Sequence, residues 1–156
     1  MNNIETRLVT LADVEELQKI GKKTFYETFS ESNSEANMTS YLDSGFSIAI
    51  LTKELINPQT LFYFAVRVET VIGYLKVNFG ESQTELQGDH SLEIERIYVS
   101  REYHGQEVGK VLYEKALEIA QQHDVSYIWL GVWEKNSRAM NFYKKCGFVE
   151  FDKHIF

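Results

Sequence analysis

Apolar and polar residues alternate from Ile4 to Val9, a period of two that predicts a first strand. The period then lengthens. Leu11, Val14, Leu17 and Ile20 recur at helical spacing, and the helix they predict runs to about Phe29, with Thr10 or Asp13 available to cap it. Ser30 to Ser34 is polar and turn-like, and Glu35 to Leu42 reads as a short second helix. Ser47 caps a third, Ile48 to Ile56, which Asn57-Pro58 stops. Two runs dense in aromatic and branched residues follow, Leu61 to Val68 and Val71 to Phe79. The short Glu69-Thr70 link makes them an antiparallel hairpin.

Gly80 to His90 is polar and irregular and reads as a mobile loop. Ser91 to Val99 is a strand and Val108 to His123 a helix with Val108, Val111, Leu112, Ala116, Leu117, Ile119 and Ala120 on its apolar face. Val125 to Val132 reads as a buried strand. Asn136 to Lys145 reads as a helix closed by Gly147 in a left-handed conformation, and Phe148 to Phe151 as the start of a last strand. Strands and helices in this order predict an α/β domain with a mixed sheet. The 156 residues suit a single domain, 1–156, without repeats or low-complexity tracts.

Composition narrows the function. The net charge of −7 argues against a nucleic-acid backbone as ligand and favours cations such as amines. The lone cysteine, Cys146, fits a reducing, cytoplasmic location, and no secretory signal or membrane-spanning stretch is visible. His90, His104 and His123 share no metal-ligand spacing, so no metal is expected.

The chemistry concentrates where the Ser91–Val99 strand feeds a turn and then a helix. Unpaired backbone N–H groups at a helix amino terminus suit a pyrophosphate, and Lys110 adds a full charge. The Gly105 to Lys110 run is not a P-loop. Three residues rather than four separate its glycines, and Val111 stands where that motif needs Ser or Thr. Glu93 and Glu95 lie two apart on the strand, share a face, and can attract a cationic substrate and deprotonate an ammonium. A plain polar strand face paired with Arg96 or Lys76 is the competing reading of the two carboxylates.

The stretch from Glu93 to Leu112 resembles the coenzyme A motif of the GNAT superfamily of N-acetyltransferases, Gln/Arg-x-x-Gly-x-Gly/Ala after a strand-ending Val. His104, Glu107 and Gly109 take its three positions, and only Gly109 matches strictly. Glu107 in place of glycine is expected at negative φ, its side chain turned to solvent. Asn136, Ala139, Phe142, Tyr143, Gly147 and Phe148 match the second signature, Asn-x-x-Ala-x-x-Phe-Tyr-x-x-x-Gly-Phe.

The resemblance implies a GNAT fold: a central, mostly antiparallel mixed sheet flanked by helices, with a splayed pair of parallel strands. It implies acetyl-CoA as cosubstrate and transfer of its acetyl group to a primary amine. It places the coenzyme on main chain at Ile97, Tyr98 and Val99, on His104, Gly105, Gln106, Glu107, Val108, Gly109 and Lys110, and on Asn136 and Lys145. It makes Tyr143 a proton donor to the departing sulfur. Thr24-Phe25, Thr28-Phe29, Asn37-Met38, Tyr41-Leu42, Leu92 to Tyr98 and Ile128 to Glu134 are similar to bacterial spermidine/spermine acetyltransferases, which points to a polyamine acceptor.

Phe25, Tyr26, Phe29, Tyr41 and Phe46 are candidates for an aromatic wall around it. Acetylation of a protein amino terminus or lysine, and a coenzyme-binding regulator with little turnover, are the alternatives. Members of the family usually add a strand after the one starting near Phe148. This sequence stops at Phe156, so either it is truncated, its end is unusual, or another chain supplies the strand, and in the last case an unpaired edge favours a homodimer.

Overall fold

The computed structural model describes residues 3–85, 90–131 and 137–148. Strands β1 (Ile4–Leu8), β2 (Thr60–Arg67), β3 (Thr70–Phe79), β4 (Ser91–Val99) and β5 (Tyr127–Leu130) form one sheet in the order β1-β2-β3-β4-β5. Every pairing is antiparallel except β4 with β5. Helices α1 (Val14–Phe29), α2 (Glu35–Gly45) and α3 (Ile48–Ile56) lie between β1 and β2, α4 (Val108–Gln122) follows β4, and α5 (Ser137–Lys145) follows β5. No helix among the described residues is long and apolar enough to cross a membrane.

Each sheet face has its own core. On one face Phe62, Phe64 and Tyr74 pack with Leu17 and Ile20 of α1 and Leu51 of α3. On the other, Leu75, Val77, Leu92 and Ile94 pack with Leu112, Ala116 and Ile119 of α4. The alternation of strand side chains sends Phe62 and Phe64 one way and Leu61 and Tyr63 the other, as a period of two requires. Gly21 on α1 is a packing glycine: a Cβ there would stand 2.7 Å from the Phe46 ring.

The local signals act as expected at several ends. The Ser47 hydroxyl accepts from the Ile50 N–H at 3.2 Å and starts α3. Ser34 does the same for Asn37 at 3.1 Å and starts α2, which runs past Leu42 to Gly45. The β2–β3 turn places Val68 and Glu69 at φ 47° and 65°, the left-handed pair that a tight hairpin demands.

Two β-bulges interrupt the pairing. At the second, Lys76 faces Arg96 while Val77 faces Ile94, so Glu95 has no opposite residue. A bulge re-aims side chains, and here it turns both Glu95 and Arg96 toward the face of α1–α3.

The β4–β5 ladder runs from Ser91 and Tyr127 only to Ile94 and Leu130. From Glu95 to Val99, β4 is paired to β3 alone among the described residues. The expected strand tail at Val132 and the expected last strand beyond Phe148 lie outside the described residues.

Candidate functional site

The two carboxylates predicted to share a face do so, and their surroundings differ. Glu93 is 3% exposed. Its Oε1 accepts from the Thr84 N–H at 2.8 Å and from Asn78 Nδ2 at 3.0 Å, and its Oε2 from the Thr84 hydroxyl at 2.5 Å. The start of the Gly80–His90 loop is therefore not free-running as the sequence suggests. Gly80–Ser82 forms a 3-10 turn, Thr84 is clipped to Glu93, and Gln83 Oε1 accepts from Trp129 Nε1 at 2.7 Å and Ser91 Oγ at 2.8 Å. Residues 86–89 lie outside the described ones.

Glu95 sits instead among cations. Lys76 Nζ is 2.8 Å from its Oε1, Arg96 Nε is 3.5 Å from its Oε2, and Asn78 Nδ2 donates to Oε1 at 2.8 Å. Burial pushes the carboxyl up, but Lys76, Arg96 and Asn78 outweigh it and hold Glu95 below the ordinary carboxylate value. Lys76 itself is buried and also meets Glu54 Oε1 at 3.0 Å, so α3 anchors the pair.

Glu95 and Arg96 border a cavity of about 270 Å³ walled by Phe25, Phe29, Tyr41, Phe46 and Tyr98. Four of the five aromatics expected at an amine-binding wall are thus in it. Tyr26 is half exposed and does not line it. The Arg96 guanidinium lies 4.8 Å from the Phe46 ring centre, a cation–π contact that fixes its position.

At the far end of β4 the chain turns into α4. His104 donates Nε2–H to the Val99 carbonyl at 2.9 Å, and its own N–H reaches the Arg101 carbonyl at 3.1 Å. Gln106 is held by Arg67 Nη1 at 2.6 Å.

Gly105 and Glu107 have φ 82° and 66°. The expectation of negative φ at Glu107 is therefore wrong. The residue is exposed, but the curl of the turn forces the left-handed conformation that the motif's glycine would adopt freely, at a cost of roughly 1–2 kcal/mol.

The first intrahelical bond runs from the Val111 N–H to the Glu107 carbonyl, so the N–H groups of Val108, Gly109 and Lys110 have no acceptor within α4. A Cβ on Gly109 would sit 3.5 Å from the Phe142 ring, an ordinary contact, so protein packing does not require glycine there. Lys110 is exposed.

Tyr143 on α5 is part-buried, its ring 5.4 Å from Phe142 and 5.7 Å from Phe148. Burial, then the neighbouring Tyr98 and Cys146, push its phenol well above the usual tyrosine value, so it keeps its proton at neutral pH. Lys145 is exposed in the last turn of α5, and Gly147 closes the helix at φ 95° as expected. Asn136 lies outside the described residues.

A coenzyme with a pyrophosphate and an amide-bearing arm fits these residues. The turn offers helix-terminal N–H groups without acceptors in α4, and the stretch of β4 that carries Ile97, Tyr98 and Val99, paired to β3 alone among the described residues, offers main chain to the arm. Asn78 and Thr84 escaped the sequence reading. Asn78 alone left a trace, as a polar residue inside an apolar strand that must find a partner once buried.

Comparison with known proteins agrees with this layout. Residues 15–148 match the model of the acetyltransferase (GNAT) family. An uncharacterised N-acetyltransferase of Lactobacillus delbrueckii subsp. lactis is 35% identical over 156 residues, all of this chain and 90% of the relative. A spermidine N(1)-acetyltransferase of Thermoplasma acidophilum is 27% identical over 94% of this chain and 88% of its own length. The crystal structure of the PaiA N-acetyltransferase from Thermoplasma acidophilum, in complex with coenzyme A, superposes with a TM-score of 0.86 at 26% identity, covering 99% of this chain and 94% of that one.

Proposed function

The chain belongs to the acetyltransferase (GNAT) family, and from that premise we propose that Glu95 and Tyr143 carry the transfer of an acetyl group from acetyl-CoA to a primary amine seated in the aromatic cavity. The enzyme is an acetyl-CoA-dependent N-acetyltransferase. The observation that carries the residue assignment is the place of Glu95: a carboxylate at a bulge, on the wall of the cavity, where β4 leaves β5.

The coenzyme supplies an activated thioester. The N–H groups of Val108, Gly109 and Lys110 hold its pyrophosphate, with Lys110 and Lys145 adding positive charge. Main chain at Ile97, Tyr98 and Val99 pairs with its arm, and His104, Gly105, Gln106 and Glu107 shape the turn around it. Asn136 belongs to the same set by its place in the family signature.

Glu95 takes a proton from the acceptor ammonium, directly or through a water, which frees the nitrogen lone pair. The new C–N bond forms as the C–S bond breaks. Tyr143 donates its hydroxyl proton to the sulfur and regains one from the nitrogen as the amide forms. Glu93, buried and held by three hydrogen bonds from Thr84 and Asn78, keeps a structural role. Replacing Tyr143 by Phe is expected to lower kcat about tenfold to a hundredfold while the KM for acetyl-CoA stays within twofold. An unchanged kcat across pH refutes the donor role.

A polyamine such as spermidine or spermine is the acceptor that the Thermoplasma relative and the acidic chain support. Arg96 beside Glu95 favours a second reading, an amino acid or peptide amine whose carboxylate or carbonyl the guanidinium can receive. A thiol-release assay with polyamines, amino acids and peptides separates them. Saturable turnover on spermidine or spermine supports the polyamine, and turnover confined to amino acids or peptides overturns it. Coenzyme binding without turnover on any of them makes the protein a regulator. The reaction is placed in the cytoplasm, where acetyl-CoA is made available and the Cys146 thiol stays reduced.

A further inference from the structure

Glu93 and Glu95 are tied to one atom. Asn78 on β3 is 1% exposed and stands opposite Glu93 in the ladder. Its Nδ2 lies 3.0 Å from Glu93 Oε1 and 2.8 Å from Glu95 Oε1. Its Oδ1 accepts from the Thr60 hydroxyl at 3.1 Å, which sets which way the amide points. An amide nitrogen carries two hydrogens, and each is spent on one carboxylate.

We propose that Asn78 is a positioning residue for the acetyl transfer: its amide holds Glu95 at the cavity as an anion and at the same time ties Glu93 back from it. The proposal rests on the assignment of Glu95 as the base.

Lys76 and Arg96 do most to hold the Glu95 carboxyl charged against burial, and the Asn78 hydrogen bond adds to them. Lys76 from β3 is shared with Glu54 of α3, Arg96 from β4 reaches it at 3.5 Å, and Tyr74 and Tyr98 add no positive charge. Phe25, Phe29 and Phe46 from α1 and the chain after α2 bring apolar rings, with Tyr41 of α2 beside them. Hydrogen bonds to a carboxylate favour its charged form, and the Asn78 amide supplies the one that both acids share. Without it, Glu95 is protonated more readily, and a protonated acid cannot accept the ammonium's proton.

The test uses the full chain and three variants, Asn78→Leu, Asn78→Asp and Thr60→Val. Asn78→Leu removes the donor at similar volume. Asn78→Asp also adds a charge. Thr60→Val frees the amide to turn and keeps the assay open should the Asn78 variants fail to fold.

Carbon-13 NMR of labelled glutamate, with Glu95→Gln to assign the resonance, follows the Glu95 carboxyl directly. Its titration is expected to move up by about one pH unit in Asn78→Leu, the order of one charge-assisted hydrogen bond. It should move further in Asn78→Asp and less in Thr60→Val. The acid limb of kcat should move with it. A Glu95 titration unmoved in the folded variants overturns the proposal. If Glu95→Gln leaves kcat unchanged, the base assignment falls instead, and the NMR titration still judges whether Asn78 holds the carboxylate charged.

Discussion

The two halves of β4 carry the same kind of residue two positions apart and put it to different use. From Ser91 to Ile94 the strand is paired on both sides, and Glu93 lies in that half, buried and held by three hydrogen bonds from Thr84 and Asn78. From Glu95 to Val99 the strand is paired to β3 alone among the described residues, and Glu95 stands at a bulge between Lys76, Arg96 and a cavity. A buried carboxylate enclosed by three hydrogen bonds holds structure. One that is kept charged, and still borders open space, can accept a proton. Neighbours, not residue type, make the difference.

The sharpest way to break this comparison is to neutralise each acid in turn. Glu95→Gln is expected to lower kcat about a hundredfold or more, the usual weight of a positioned base, with little change in CoA binding. Equal losses of kcat in Glu93→Gln and Glu95→Gln would erase the contrast. Glu93→Ala should show its effect in stability instead. Three hydrogen bonds to a buried carboxylate are lost, and the Thr84 and Asn78 donors are left unpaired. A loss of about 2–3 kcal/mol is expected, read from urea unfolding.

The open half also feeds the turn before α4, where Glu107 sits at φ 66°. Glu107→Gly relieves that conformation and removes a negative charge beside the N–H groups proposed to hold the phosphates. Calorimetry should show CoA binding severalfold tighter, with a stability gain of about 1 kcal/mol at most once glycine's own entropy is counted. Weaker binding would mean that the turn does not meet the phosphates.

The smallest effect is in pH dependence. Glu95 is held below its ordinary value of 4.5, so its ionised form stabilises the folded state. That contribution is complete above about pH 4.5, the unfolded value, and is lost as pH falls through the folded value. In Glu95→Gln this part of the acid slope should vanish from urea-unfolding free energies measured across pH. A slope identical to the parent's would mean that Lys76 and Arg96 do not hold the charge.

Much of this was legible along the chain. Ser47 and Asn57-Pro58 mark α3 at both ends and Gly147 marks the end of α5, while the hairpin link lies at Val68-Glu69, one residue before the expected Glu69-Thr70, because Thr70 pairs with Arg67. The glycine turn after Val99 and the Phe142-Tyr143 pair drew attention to both sides of the site before any coordinate. Helical period, caps and turn residues act within a few positions of one another, so a sequence displays them. The pairing of Glu93 with Glu95 on one face also follows from local alternation.

Other features could not be read that way. Arg96 joins Glu95 on the cavity face only because β3 leaves Glu95 unopposed, and a bulge is a property of two strands in register. Thr84 silences Glu93 from nine positions away and Asn78 from fifteen. Glu107 adopts positive φ because the turn must join β4 to α4, against its own preference. The chain by itself marked most of the described strands and helices and named candidate residues for acyl-transfer chemistry. The tertiary structure decided that Glu93 is enclosed while Glu95 borders the cavity, because hydrogen bonding and charge balance depend on residues that only folding brings together.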